Sequence, residues 1–361
     1  MTAPTGGTDP HVTPTSAKPT ARHAEDASVP WRGVQPSVAV SFDPLPGMRA
    51  AINSTLRDVA AVAYLAELGD ARRGEALSAA DALLSWGIGA ELSTKELREL
   101  GSLGLIQLIS AGVEHVPFRR LPPNVPVAAN GGGWAQPMAE HVLALTLGLA
   151  KRLLPNHAAM GAGVFDHRPP NRELRGAVVA ILGYGGIGRA SATLFRAFGA
   201  RIHAVTRSGE VDDDTVDLVA SLDRLDEILA TADVVVISVP LTSATTGLIG
   251  RRELALMKPD AILINVARGA IVDEDALYER LRATPSFSAG LDVWWHEPGA
   301  LGRFATRRPF LELPNVLGSP HNSANTTAAP AAAARHAAEN VRRLLRGEPV
   351  RHLVDRSEYA R

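Results

Sequence analysis

Val178-Val-Ala-Ile-Leu-Gly183-Tyr-Gly185-Gly-Ile-Gly188 is the stretch whose reading decides the fold. Val178, Val179, Ala180, Ile181 and Leu182 are apolar without alternation, the pattern of a short strand covered on both faces in the middle of a parallel sheet. Gly183, Gly185 and Gly188 then form G-x-G-x-x-G, and residues 189–198 read as a helix ending at Gly199. The three glycines serve a tight turn, close approach of the backbone to a pyrophosphate, and close helix–strand contact. The helix that follows aims its free N–H groups and positive dipole end at the phosphates. A second strand at 201–205 completes the unit, so the stretch reads as a dinucleotide-binding turn and not as a tight turn without a ligand.

The 361 residues are enough for two domains, each with its own core. With 46% hydrophobic residues, 21% charged residues and a net charge of -1, the chain has no basic footprint for nucleic acid. No apolar run approaches the roughly 18 to 20 residues of a membrane span. The absence of cysteine removes disulfides and cysteine metal sites, and agrees with a cytoplasmic location. Residues 1–30, rich in Thr, Pro, Ala and Gly, read as a disordered tail.

Order is expected from the strand at 38–42, with a turn at 43–47. Strands at 60–65, 82–86 and 105–109 and a helix at 94–100 follow. A long apolar helix at 139–154 leads to a polar connection at 157–175. After the glycine turn come strands at 232–239, 261–266, 288–293 and 317–321, with helices at 251–257 and 273–281. An Ala- and Arg-rich helix at 327–345 is expected to return to the first unit. The predicted class is α/β, with two doubly wound Rossmann-like domains. Residues 31–138 with 328–361 form the discontinuous substrate domain, residues 139–327 form the dinucleotide domain, and the cleft lies between them.

Ligands of doubly wound sheets gather at the carboxyl ends of strands. Three such ends carry Arg268, Glu297 and His321. Arginine offers a fixed fork of donors for a carboxylate or carbonyl oxygen. Histidine gives and takes a proton near neutral pH, and an adjacent glutamate favours its protonated form. His115, His141 and His203 lack metal-ligand spacing and read as structural, and no metal site is expected.

The segments Asn265-Val-Ala-Arg268-Gly269-Ala-Ile-Val-Asp273, Gly290-Leu-Asp292-Val-Trp-Trp-His-Glu297-Pro298 and Ser319-Pro320-His321 together resemble the D-isomer-specific 2-hydroxyacid dehydrogenases. Ser110-Ala111-Gly112-Val113-Glu114, Ala139-Glu140-His141 and Glu173-Leu174-Arg175-Gly176 extend the likeness over about residues 38–345. The resemblance implies that Arg268 binds the substrate carboxylate and carbonyl oxygen and that His321 is the general acid/base, held by Glu297, which raises its pKa. It implies that Ala111 and Gly112 bind the substrate carboxylate through their backbone and that Asp292 meets the nicotinamide carboxamide. The dinucleotide is expected on Gly183, Gly185, Gly186, Ile187 and Gly188, on Thr206, Arg207 and Ser208, and on Val239, Pro240, Val266 and Ala267. Trp134 is expected to line the substrate pocket. Trp294 or Trp295 could help wall it, although large aromatics are more often core residues.

Two departures stand out. Many NAD-preferring folds close the second strand with an acidic residue that bonds the ribose 2'-hydroxyl. Here Val205 is followed by Thr206-Arg207-Ser208, with no carboxylate until Glu210. These three residues could all donate to a 2'-phosphate, so NADP(H) is favoured and NAD(H) also admitted. The other reading of Arg207 is stacking on adenine. The second departure is Asn322-Ser323-Ala324 after His321, where the family often has glycines.

The implied activity is reversible hydride transfer between a nicotinamide cofactor and a small-molecule 2-oxo or D-2-hydroxy acid, by a homodimer without nucleic-acid or membrane partners. The alternatives are a dehydrogenase of another small acid (phosphoglycerate, phosphite or formate) on this scaffold, or a non-catalytic dinucleotide-sensing, corepressor-like module.

Overall fold

The computed structural model describes residues 35–298, 302 and 304–359; the tail expected over residues 1–30 lies outside them. Two parallel sheets, each covered by helices, form the framework. The first is built from β1 (Ser37–Val40), α1 (Pro46–Leu56), β2 (Ala61–Tyr64), α2 (Asp70–Ser78), β3 (Ala82–Ser85), α3 (Ile88–Glu91), α4 (Thr94–Arg98), β4 (Leu105–Leu108) and β5 (Val127–Ala128). Its strand order is β2-β1-β3-β4-β5. The turn expected at 43–47 gives way to α1 at Pro46, because proline at the first helical position sacrifices only an N–H that has no intrahelical acceptor.

The single helix expected at 139–154 is two helices, α5 (Ala135–Ala150) and α6 (Leu153–Gly161). Pro137 lies in the first turn of α5, where N–H groups are unpaired in any helix. Arg152 takes a left-handed backbone, φ 51°, and separates the two. The polar connection expected from residue 157 is therefore helical as far as Gly161.

The second sheet follows with β6 (Val178–Leu182), α7 (Gly186–Ala197), β7 (Arg201–Val205), β8 (Leu218–Ala220), α8 (Leu225–Thr231), β9 (Val234–Ile237), α9 (Arg251–Leu256), β10 (Ile262–Asn265), α10 (Glu274–Ala283), β11 (Ser288–Leu291), β12 (Val316–Gly318) and α11 (Ala329–Leu345). Its order, β12-β11-β10-β9-β6-β7-β8, reverses direction between β6 and β9. A doubly wound sheet opens its ligand crevice at such a reversal. Every residue of β6 and β9 is buried, as their unbroken apolar runs require.

Register brings the chemistry together. Leu182 pairs with Ile237, Ile237 with Asn265, Asn265 with Leu291, and Leu291 with Gly318. The residues after each of these strands therefore emerge along one edge.

Two helices tie the sheets to the rest of the chain. Met138, Val142 and Leu145 of α5 share a core with Val179, Ile181, Val236 and Ile264 of the second sheet. Ala334, Ala337, Ala338, Val341 and Leu345 of α11 share another with Val38 and Val40 of the first sheet and with Ile52 and Leu56 of α1. Both sets recur every three or four residues, the stripe by which a helix buries one face.

Candidate active site

The aligned strand ends face the first sheet across a cleft of about 850 Å³. Arg268 enters it from the turn after β10. Asn265, itself buried, fixes that turn: its Oδ1 accepts the Ala267 N–H (3.0 Å) and its Nδ2 donates to the Arg268 carbonyl (3.0 Å). The guanidinium reaches across the cleft to Glu114, with Nε 3.2 Å from Oε1 and Nη2 3.3 Å from Oε2. It passes over Gly112, where a Cβ would press into the guanidinium group. The amides of Ala111 and Gly112 have no acceptor among the described residues. Two free donors and a guanidinium thus converge where a carboxylate could be held.

His321 lines the cleft from the loop after β12. Its Nδ1 lies 2.7 Å from Glu297 Oε2, which leaves Nε2 as the nitrogen available to a ligand. The other carboxylate oxygen of Glu297 accepts the Trp294 N–H at 3.0 Å. Burial acts to raise the Glu297 carboxyl, but the His321 and Trp294 hydrogen bonds and the charges of His321 and Arg268 outweigh it. The group is held below the usual carboxylate range. A depressed carboxyl favours the folded state fully above its unfolded pKa, and that contribution is lost as pH falls through the folded value. The pairing with His321 therefore persists into mildly acidic solution.

His321 itself has φ 51°, a left-handed conformation costly for any residue with a Cβ. Asp292 supplies the restraint. Its carbonyl accepts the His321 N–H (2.8 Å), and its carboxylate accepts Ser319 Oγ (2.6 Å) and the amides of Asn322 and Ser323 (both 3.1 Å). Burial pushes this carboxyl up, and the Ser319 and loop hydrogen bonds more than reverse the effect. His141 Nε2, 2.8 Å from Ser319 Oγ, extends the network to α5. Asp292 is fully buried beneath the loop that carries His321, its carboxylate held by Ser319 and the loop amides.

Trp134 lines the cleft and donates its indole N–H to the Ile109 carbonyl at 2.8 Å. Trp86, with its ring centroid 5.8 Å away, and Leu45 complete an apolar wall. Trp294 and Trp295 do not join it. Their indoles donate to the Ser319 and Val272 carbonyls, and both rings pack on Phe310 in the core.

The glycine turn forms the opposite end. Gly183 has φ +94°, open to glycine and strained for other residues. A Cβ on Gly186 would lie 2.6 Å from Gly132 Cα of the facing loop, so only glycine keeps this passage open. Gly186 begins α7, whose first-turn amides have no intrahelical acceptor. Ser323, buried at the cleft surface, has an Oγ without a hydrogen-bond partner among the described residues. A cradle closed to any side chain, a helix N-terminus and an orphaned hydroxyl fit a dinucleotide with its pyrophosphate on the turn.

Gly185, Gly186, Ile187, Arg207, Val239, Pro240, Val266 and Ala267 also face the cleft. Gly188 is buried behind the turn. Thr206 Oγ1 accepts the Gly209 N–H and Ser208 Oγ the Glu210 N–H, so both hydroxyls close their own turn and only Arg207 of the three reaches inward.

Residues 143–323 match the family model described as D-isomer specific 2-hydroxyacid dehydrogenase, NAD binding domain. The chain belongs to this family. The hydroxypyruvate reductase of Thermotoga maritima is 30% identical over 239 residues, 65% of this chain and 76% of that protein. The D-3-phosphoglycerate dehydrogenase of Methanocaldococcus jannaschii is 34% identical over 221 residues, 60% of this chain and 41% of that one. The chain thus spans less than half the length of that relative. A D-isomer specific 2-hydroxyacid dehydrogenase from Xanthobacter autotrophicus Py2, solved in complex with NADPH and MES, superposes with a TM-score of 0.74 at 27% identity. That match covers 91% of this chain and all of the other.

Within this 2-hydroxyacid dehydrogenase fold, some cleft residues escape sequence reasoning. Glu114 stands 154 positions from Arg268, and Trp86 reads as a strand end. His352, Leu353, Asp355, Glu358 and Tyr359 arrive from the C-terminal segment, which carries no motif. Burial, with Glu114 and Glu358 nearby, pushes the Tyr359 hydroxyl up to about 12, so it remains protonated at neutral pH. Among the described residues no group of His, Asp or Glu could hold a metal ion, and no helix is long and apolar enough to cross a membrane.

Proposed function

We propose that this protein catalyses reversible hydride transfer between a nicotinamide dinucleotide and the carbonyl carbon of a 2-oxo acid, giving a D-2-hydroxy acid. The observation that carries the reading is the Glu297–His321 pair, set opposite Arg268 and the free amides of Ala111 and Gly112, in a cleft that ends at the glycine turn.

The turn, with Val239, Pro240, Val266 and Ala267, would hold the dinucleotide, which when bound supplies the hydride. Ala111 and Gly112 orient the substrate carboxylate with Arg268, whose fork turns from Glu114 towards the substrate oxygens. As hydride reaches carbon, the carbonyl oxygen takes the proton from His321 Nε2, and the ionised Glu297 steadies the imidazolium beforehand. Arg268 stabilises the charge developing on oxygen. Trp86, Trp134 and Leu45 shield the reacting carbon from water and favour substrates with an apolar side chain. In the oxidising direction the D-enantiomers of lactate and larger 2-hydroxy acids should be consumed and the L-enantiomers left. Oxidation of both at equal rates would contradict the proposed geometry.

NADP(H) is the favoured cofactor, with NAD(H) also accepted, because Arg207 reaches the adenosine end of the cleft and no acidic residue closes β7. Arg207→Ala should raise the Kd for NADPH about tenfold and that for NADH less than about twofold, the loss expected for one charge-assisted contact. Fluorescence titration reads both, and equal weakening would assign Arg207 to adenine stacking instead.

The active unit is a homodimer in a cytoplasmic setting. Leu153, Leu154 and Met160 of α6 and Phe165 just after it are more than half exposed, apolar side chains that a second copy of the chain would cover. Sedimentation should give a two-chain species, and Met160→Glu with Phe165→Glu should convert it to one chain. A monomeric parent protein would contradict the assignment.

A further inference from the structure

The acidic residue missing after β7 is replaced from the other side of the cleft. Arg207 makes a two-point contact with Glu358, Nη1 to Oε1 at 2.9 Å and Nη2 to Oε2 at 3.2 Å. The arginine side chain is 75% exposed, whereas that of Glu358 is 24% exposed. The segment carrying Glu358 is anchored along the first sheet. The Val354 N–H donates to the Val127 carbonyl (2.8 Å), the Ala129 N–H to the His352 carbonyl (3.0 Å), and the Arg356 guanidinium to the carbonyls of Pro122 and Val125. Tyr359 packs on Phe118 with ring centroids 5.6 Å apart. A fixed carboxylate therefore holds the guanidinium at the end of the second strand, where doubly wound folds recognise the ribose.

We infer that Glu358 is a cofactor-discriminating residue, which competes with a 2'-phosphate for Arg207. The inference rests on the proposal that Arg207 receives that phosphate. A 2'-phosphate must take over the guanidinium and lie beside the Glu358 charge, two opposing effects that weaken NADP(H). A ribose 2'-hydroxyl carries no charge and leaves the pair intact. Glu358 thus narrows the preference for NADP(H) that Arg207 alone would confer, and would let a chain with an arginine at this position also take NAD(H).

The experiment is a fluorescence titration of NADPH and NADH into the full chain and its Glu358→Gln, Arg207→Ala and doubly substituted variants. Glutamine keeps the shape and removes the charge. Glu358→Gln should lower the Kd for NADPH about two- to fivefold, the range set by an exposed ion pair, with NADH changed less than about twofold. In the Arg207→Ala background the same substitution should improve NADPH less than it does in the parent chain, because only the relief of repulsion remains; an equal or larger gain there would show that Glu358 does not compete for Arg207. If Arg207→Ala lowers NADPH preference but Glu358→Gln leaves the ratio unchanged, the competition is wrong and the Arg207 assignment stands. If Arg207→Ala leaves the ratio unchanged, both fall. Glu358→Ala gives the same direction by a second route, and thermal melting of each variant reports folding separately.

Discussion

His321→Ala should lower kcat by about 10²- to 10⁴-fold, the usual contribution of a placed general acid, and leave the Kd for the dinucleotide within about twofold. The separation follows from the fold. His321 stands on the loop after β12, whereas the glycine turn and the Val239-Pro240 segment follow β6 and β9 and make their own contacts with the cleft. Asp292 holds the left-handed loop through backbone amides, so removing the imidazole does not unfasten it. Near-normal turnover in His321→Ala, measured as NADPH oxidation at saturating 2-oxo acid, would overturn the acid/base role.

Arg268→Ala should lower kcat/KM by about 10³-fold or more, because one group is asked both to hold the carboxylate and to stabilise charge on the carbonyl oxygen. The variant also leaves Glu114 unpaired beside the place where an anionic substrate binds. Both effects raise KM as well as lowering kcat. Arg268→Lys should recover only part of the loss, since an ammonium cannot reproduce a two-pronged contact. Steady-state kinetics of the two variants provide the check. If lysine restored full activity, point charge and not the planar fork would be the property that matters.

The parts of the site that the sequence discloses are those where one short segment carries both the structural and the chemical signal. The run 178–188 contains its own strand, turn and helix start. Arg268 and His321 lie immediately after apolar strands whose ends the sheet register aligns. The pairing of His321 with Glu297 was implied by the family resemblance, and the 2.7 Å contact places the two side chains together. What stayed hidden depends on separations that no local pattern spans. Arg207 and Glu358 are 151 positions apart, and the segment bearing Glu358 reaches the cleft only because it is threaded along β5. The helix break at Arg152 falls three residues before Pro155, which has no N–H to continue the ladder of α5, but the apolar pattern runs on through Leu154 and does not show which residue turns. Asp292 illustrates a different limit. Its place in the motif is plain, but its hydrogen bonds to Ser319 and to the amides of Asn322 and Ser323 come from a loop geometry that no local pattern displays.

These contacts give the two sides of the cleft different duties. The second sheet carries Arg268, Glu297 and His321, to which the proposed proton and charge chemistry falls, and the other side of the cleft carries free amides, an apolar wall and two carboxylates, Glu114 and Glu358, each paired with an arginine from the opposite side. On the proposed reading, ligand binding would exchange these partners, so that neither arginine is left uncompensated in the empty cleft.

The most direct test of the account is spectrophotometric: oxidation of NADPH and NADH by the full chain with a series of 2-oxo acids from glyoxylate to phenylpyruvate, followed by chiral analysis of the product. The account predicts turnover that is highest with NADPH and with apolar side chains, and a product of D configuration. No oxidation with any acid, although titration shows that the dinucleotide binds, would contradict it.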